Sequence, residues 1–426
     1  RENNDQDHEL FNALVQVMPA YETSFLAEIR SSESDHGDLP IRFDLFFPND
    51  RYKKKADSVR LGMRHAFSPK ADFIATVIFK KNEERYFNSL KGTEIEVEDD
   101  GYMAEFQHLF RSERFNLISG ISILRSDRTQ ELFIPQFAVS NKIRDTVYDK
   151  DVYVYSQFNF PENVNWTLGA SINLFDGIVD KERFNPKMGV IWNPCPSTTL
   201  RAAAFRVLTR NLISDQTIEP TQVAGFNQYF DDIEGDDAWR YGAAIEQKFF
   251  HNLFGGLEFS KRDLEVPFPN DNGIAEADWQ EKLSRAYLYW APRDRLSIST
   301  EYRQENFDRD IQYSGTAHVH ELTTEKYIVG LNYYFPVGFT TKFQAAYVDQ
   351  KGEFTSDPYS LTTIKGDDHF WVIDALVSYR LPKRAGLISL EAKNLFDEEF
   401  HFQSMDRNSP EIFPERFVLL KMTLTF

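Results

Sequence analysis

No run of about 18 apolar residues occurs anywhere in the 426-residue chain, which excludes a membrane-spanning helix. Cysteine is nearly absent: Cys195, in NPCPS between two prolines, is the only one, so no internal disulfide can form. Low cysteine content is compatible with an envelope protein without establishing one. Positive charge is also short, with 48 basic against 66 acidic side chains and a net charge of −18, which argues against a nucleic-acid partner held through phosphates. No Ser/His/Asp set, glycine-rich phosphate loop or HExxH occurs, so no catalytic residue and no cofactor is expected. A signal peptide is missing at Arg1, and the sequence is read as mature, truncated or the ordered part of a longer chain.

What the chain does have is alternation. From Thr23 onward, segments of roughly ten residues alternate apolar and polar positions. In 370–381, Trp371, Ile373, Ala375, Val377 and Tyr379 share one face, while Asp374, Ser378 and Arg380 share the other. Trp166, Leu168, Ala170, Ile172 and Leu174 form a second such stripe, and Tyr327, Val329, Leu331, Tyr333 and Phe335 a third. At the end of the chain, Val418, Leu420, Met422, Leu424 and Phe426 alternate with Leu419, Lys421, Thr423 and Thr425. Aromatics reach 15%, as expected for rings gathered at two membrane interfaces.

Short connections (68–72, 111–114, 161–165, 193–198, 251–252, 291–295, 336–338 and 381–386) supply Pro, Gly, Asn and Asp for turns. Longer polar stretches (83–101, 214–237 and 304–321) separate the hairpins. The fold expected is therefore all-β: a transmembrane antiparallel outer-membrane β-barrel of about 18 strands (roughly 16 to 22), with short periplasmic turns and long extracellular loops. Residues 1–20 are expected as a polar leader or linker and 21–426 as the barrel, with an even strand number bringing both termini to the periplasmic side.

Several segments resemble the barrel of TonB-dependent outer-membrane receptors. FNPKMGVIWNPCPSTTLRAAAFR (184–206) is similar to that family's paired mid-barrel strands, and LEAKNLFDEEF (390–400) followed by ERFVLLKMTLTF is similar to its last two strands and terminal aromatic. The resemblance covers about residues 150–426. It implies an outer-membrane location in a Gram-negative-type bacterium, and assembly by the barrel-assembly machinery with Phe426 as the recognised terminus. The family's large N-terminal plug is not found in residues 1–30, so a plugless relative is expected. The stretch 217–242 resembles barrels fused behind tetratricopeptide repeats, which implies a pore exporting exopolysaccharide or protein.

The candidate lumen-lining residues are Arg285, Glu301, Arg303, Lys342, Asp374, Arg380, Glu391, Lys393 and Lys421, each opposite its strand's apolar stripe. On the lipid face a Lys or Arg costs about 2–4 kcal/mol near the midplane, so a wet lumen is their place. Their mixed signs suggest pairing across the wall, or a field that selects what passes.

Asp231, Asp232, Glu234, Asp236 and Asp237 are candidates for a constriction or a hard-cation site. Lacking the spacing of a calcium loop, they and the acids of 94–100 read first as solvated or lipopolysaccharide-bridging loops. His318 and His320 lack a third ligand and read as ordinary histidines, so no metal site is expected. An open lumen of this size would leak, so inward-folded loops (83–101 and 214–237 as candidates), the leader, or a lumen-filling or periplasmic partner must obstruct it. The functional expectation is an outer-membrane channel or translocation pore for a polar solute or polymer. The alternative is an anchor or assembly platform for a larger surface complex; lipid, lipopolysaccharide and partner proteins are the expected contacts.

Overall fold

The computed structural model describes residues 5–425 except 38–42, 44–49, 89–91, 135–138, 211, 214–215, 231, 271–272, 310–318, 358–359, 405–411 and 413–414. The chain begins with β1 (Gln6–Ala20), β2 (Thr23–Gly37), β3 (Arg51–Ser68), β4 (Ala71–Asn88), β5 (Thr93–Arg111) and β6 (Phe115–Ile134). It continues with β7 (Val139–Asn159), β8 (Val164–Asp176), β9 (Asp180–Cys195) and β10 (Thr198–Leu208). A small hairpin follows, β11 (Gln222–Val223) and β12 (Phe226–Asn227). Then come β13 (Asp237–Phe250), β14 (Leu253–Asn270), β15 (Gly273–Arg293), β16 (Leu296–Arg309) and β17 (Val319–Tyr334). The wall ends with β18 (Phe339–Asp357), β19 (Ser360–Arg380), β20 (Gly386–Lys393) and β21 (Phe417–Leu424).

Among the described residues, all strands but the small hairpin form one 19-stranded antiparallel meander, each strand paired with its chain neighbours. Among the described residues the outer edges of β1 and β21 have no ladder partner. The sheet curls far enough to bring distant parts together. Phe43, between β2 and β3, stacks on Phe354 of β18 at 5.1 Å, and Lys181 of β9 reaches Glu276 of β15 at 2.8 Å.

Alternation accounts for the two faces. On β8, Trp166, Leu168 and Ile172 are 45%, 44% and 51% exposed, while Thr167, Ser171 and Asn173 between them are 5%, 3% and 3%. The apolar face is outermost because only lipid can receive it, and the backbone is satisfied by ladder bonds because lipid offers no partner. Tyr302, Tyr327, Tyr347 and Trp371 stand opposite one another on four adjacent strands, their rings 4.9 to 6.1 Å apart. A second row near the short turns includes Phe110, Phe115 and Phe158, and Phe339 against Tyr379 at 4.5 Å. These rows are the two aromatic girdles of an outer-membrane-type barrel.

All eight short connections expected from the sequence join hairpins, and a ninth falls at Tyr21–Glu22. It belongs to a strand read as leader: residues 6–20 pair along β2 as β1. The described residues hold 19 wall strands, close to the expected number, and β1 runs from the rim of the long connections to the short turn at Tyr21–Glu22. Stretch 83–101 is also not the long loop expected, and of 304–321 residues 304–309 and 319–321 lie in strands while 310–318 lie outside the described residues. β4 and β5 pair through Asn88 and Thr93, and β16 and β17 pair from Asp308 and Glu321. Strands of up to 21 residues exceed the roughly ten needed to cross a bilayer. Beyond the lipid both faces are wet, and the apolar stripe that marks a strand disappears.

Replacing Leu168 by Arg should lower barrel stability by about 2–4 kcal/mol in urea titrations from lipid vesicles, whereas Ser299→Arg on the inner face should cost under about 1 kcal/mol. Equal costs would mean that the faces are assigned wrongly.

Candidate functional site: the inner wall and its infolded connection

Strand register puts all nine lumen candidates on the inner face. Arg285 stands opposite Arg303, Lys342 opposite Leu376, Arg380 opposite Leu387, and Lys421 opposite Ser389. Arg285 meets Glu301 through two bonds of 2.8 Å, Arg303 meets Glu305 at 2.6 Å, and Lys393 lies 3.0 Å from Asp374 and 3.4 Å from Glu391. Lys342, Arg380 and Lys421 make no ion pair among the described residues.

The wall is not bare. Residues 209–236, which link β10 to β13 at the long-connection rim, fold back onto the inner face. Thr209 N–H donates to Asp236 O at 2.9 Å and Arg210 N–H to Phe230 O at 3.0 Å, closing the base. The tip is the hairpin of β11 and β12, turned by Ala224 and Gly225, both with positive φ. Val223, Phe226 and Phe230 are buried against Tyr153, Tyr155, Ala203 and Phe205 of the wall. Wall glycines make the room: a Cβ on Gly189 would stand 2.8 Å from Ala224, and one on Gly242 would enter the Phe226 ring.

Arg210 anchors the connection. Its guanidinium is wholly buried, 2.7 Å from Glu219, 3.3 Å from Asp151 and 3.9 Å from Asp149, and stacked 4.6 Å from the Phe230 ring. Tyr155 donates to Glu219 at 2.6 Å, Lys187 donates to Gln228 at 2.6 Å, and Glu105 accepts from Thr217 and from Ile218 N–H. A guanidinium loses several kcal/mol of hydration on burial, so this convergence of carboxylates is what makes the position tenable.

The acidic candidates hold the connection's return leg. Asp232 meets Arg262 at 2.6 Å, Glu234 meets Arg128 at 2.9 Å, and Asp237 meets Arg183 at 2.6 Å and also Arg206. Asp236 is fully buried, and burial pushes its carboxyl well above the usual range. Asp231 lies outside the described residues, as do His318 and Phe426. Among the described residues no group of three or more His, Cys, Asp or Glu is arranged to hold a metal ion.

A second segment, 394–404, covers the inner face near the other edge. Asn394 N–H donates to Asp374 at 3.0 Å. Phe400 stacks on Phe370 at 4.0 Å, and Gln403 and Gln350 exchange bonds of 2.7 and 3.2 Å. Sequence reading named Asp374 and the 214–237 stretch but missed Arg210, Tyr153 and Tyr155. The available signal was glycine and tyrosine on wall faces that should otherwise be small and polar.

No protein-family model matches the sequence, and no curated protein sequence matches it. Solved structures do. The ferripyoverdine receptor of the Pseudomonas aeruginosa outer membrane superposes with a TM-score of 0.69 at 13% identity, over 98% of this chain and 64% of that one. The FrpB iron transporter from Neisseria meningitidis gives 0.72 at 12%, over 97% and 71%, and the copper transporter OprC 0.71 at 11%, over 100% and 72%. The class defined is the large outer-membrane β-barrel. Within it, the fold is that of the barrel of TonB-dependent receptors, as the sequence resemblance implied. The chain spans 64% of the length of that pyoverdine receptor.

Cys195, exposed at the short-turn rim, has its thiol lowered to about 7 by hydrogen bonds with Ser197 and Thr198. Alkylation by a membrane-impermeant maleimide should accelerate as pH rises through about 7 and should occur only from the short-turn side. Arg210→Met should leave three carboxylates uncompensated and cost about 3–5 kcal/mol of docking. Proteinase K should then cut within 209–236 while the wall stays intact; unchanged resistance would show that Arg210 is not the anchor.

Proposed function

We propose that the chain forms an outer-membrane translocation barrel for a polar solute, with residues 209–236 as the element that limits passage. The observation that carries this reading is the connection itself: a loop from the outer rim laid against the inner wall, contacting strands from β4 to β15. Ile213 packs with Ile78 and Met103 at one end, and Asp232 reaches Arg262 at the other. A connection with only a surface role would gain nothing from burying a guanidinium among acids. The matching structures are a ferripyoverdine receptor and transporters of iron and copper, which supports solute passage as the use of this fold. Movement of a polymer, as exopolysaccharide or protein export, is the longer-range form of the same proposal, and no observation favours it over a small solute.

The inner wall suits such a role because its charges are paired where they crowd and free where they do not. Arg201 bridges Glu246 at 2.9 Å and Glu258 at 3.3 Å, and next along the wall Arg285 pairs with Glu301. Lys342, Arg380 and Lys421 near the short-turn end share the inner face and make no ion pair among the described residues, which supports a cationic lining there.

A platform reading, in which the barrel anchors a larger complex, draws on the second covered patch formed by Phe400 and Phe402, since two infolded segments obstruct more lumen than one gate requires. Planar-bilayer recordings separate the readings. Replacing 211–235 by a short Gly-Ser bridge should raise single-channel conductance several-fold over the intact barrel. Silence in both forms would overturn the gate and favour the platform.

A further inference from the structure

We propose that the inner face of β2–β6 carries a binding site for a multivalent oxyanion, and that its occupant competes with the infolded connection for Arg128. The site is a hollow of about 350 Å³ at the end of the wall toward the long connections, floored by Leu212 of the connection. Its charged lining is Arg30, Lys54, Lys80 and Arg128 against Glu84 and Asp99. Four cations over two carboxylates is a local excess in a chain whose net charge is −18.

The pairing within the hollow decides which cations are available. Lys80 is buried and held by Asp99 at 2.7 Å, and Asp99 also accepts from Ser126. Lys54 lies 2.9 Å from Glu84, but both are about half exposed, and such a pair is worth only about 0–1 kcal/mol, so Lys54 can be recruited. Arg30 makes no ion pair among the described residues. Arg128 is 4.0 Å from Asp99, and its close partner, at 2.9 Å, is Glu234 of the connection.

One guanidinium is therefore without an ion-pair partner among the described residues, and another has its close contact with the segment that would have to move for the lumen to open. Ser32, Ser58 and Asn82 add neutral donors between them. Guanidinium forks match carboxylate and phosphate oxygens, so the ligand class is a compact molecule bearing two or more such groups. As it engages Arg128 it takes from Glu234 its counter-charge and loosens one of the return-leg clamps. The proposal uses the observed docking of 209–236 and does not require that segment to be the constriction, so the test reads binding and not current.

The experiment is isothermal titration of the detergent-solubilised barrel with inorganic tripolyphosphate and, separately, with the tricarboxylate tricarballylate. Heat-modifiable gel mobility verifies folding of each variant. The expected result is saturable binding of at least one probe near one per barrel, weakened tenfold or more by Arg30→Gln and tightened several-fold by Glu234→Gln. The stronger probe identifies a phosphate or a carboxylate ligand. No saturable heat with either probe, or equal affinity in the Arg30→Gln variant, would overturn the site. Affinity unchanged or weakened by Glu234→Gln would overturn the competition for Arg128.

Discussion

A strand that crosses lipid must have its backbone hydrogen bonds met by its neighbours, because the hydrocarbon provides none. Every wall strand between β1 and β21 obeys this, paired on both sides in one meander. The pleat then fixes the side chains: if alternate residues face lipid, the residues between them face inward and can be polar. The lumen's chemistry follows from that geometry. Arg285 and Glu301, Lys393 and Asp374 meet because register aligns them on a face where charge is tolerated.

A polar inner wall has a consequence for anything laid upon it. An apolar segment would find little to bury against, so 209–236 couples a small apolar contact to a large polar one. Phe226 and Phe230 use a patch created by glycines and tyrosines, and Arg210 draws acids from both wall and connection into one buried cluster. Such a cluster is costly to form and costly to break, which suits a segment with two discrete positions better than one that drifts. The largely buried pairs Asp232–Arg262, Glu234–Arg128 and Asp237–Arg183 hold the return leg in the same way.

Within the lipid-crossing zone the wall was legible from sequence, since Trp371, Ile373 and Val377 against Asp374 and Ser378 can be read in only one way as a strand with a wet and a greasy side. Legibility failed where that contrast ends. Above the bilayer, β4 and β5 continue as KKNEERYFN and TEIEVEDD with polar residues on both faces, which resembles loop composition. β1 failed for the opposite reason: Leu10, Leu14 and Met18 on its inner face accompany Phe11, Val15 and Val17 on its outer face, so no alternation marks it. The candidate site was half visible. The acids of 232–237 could be named because they cluster in sequence, whereas Arg210, Asp149, Asp151 and Glu219 are joined only by the fold.

The central claim is that residues 209–236 are docked on the inner wall of the barrel in a lipid bilayer. Hydrogen–deuterium exchange of the protein in nanodiscs tests it most directly. The account predicts that amides in 216–230 exchange as slowly as those of β10, since Gln228 N–H bonds Thr221 O and Ile218 N–H bonds Glu105. Exchange at the rate of an unstructured loop would contradict it and would leave the inner wall open.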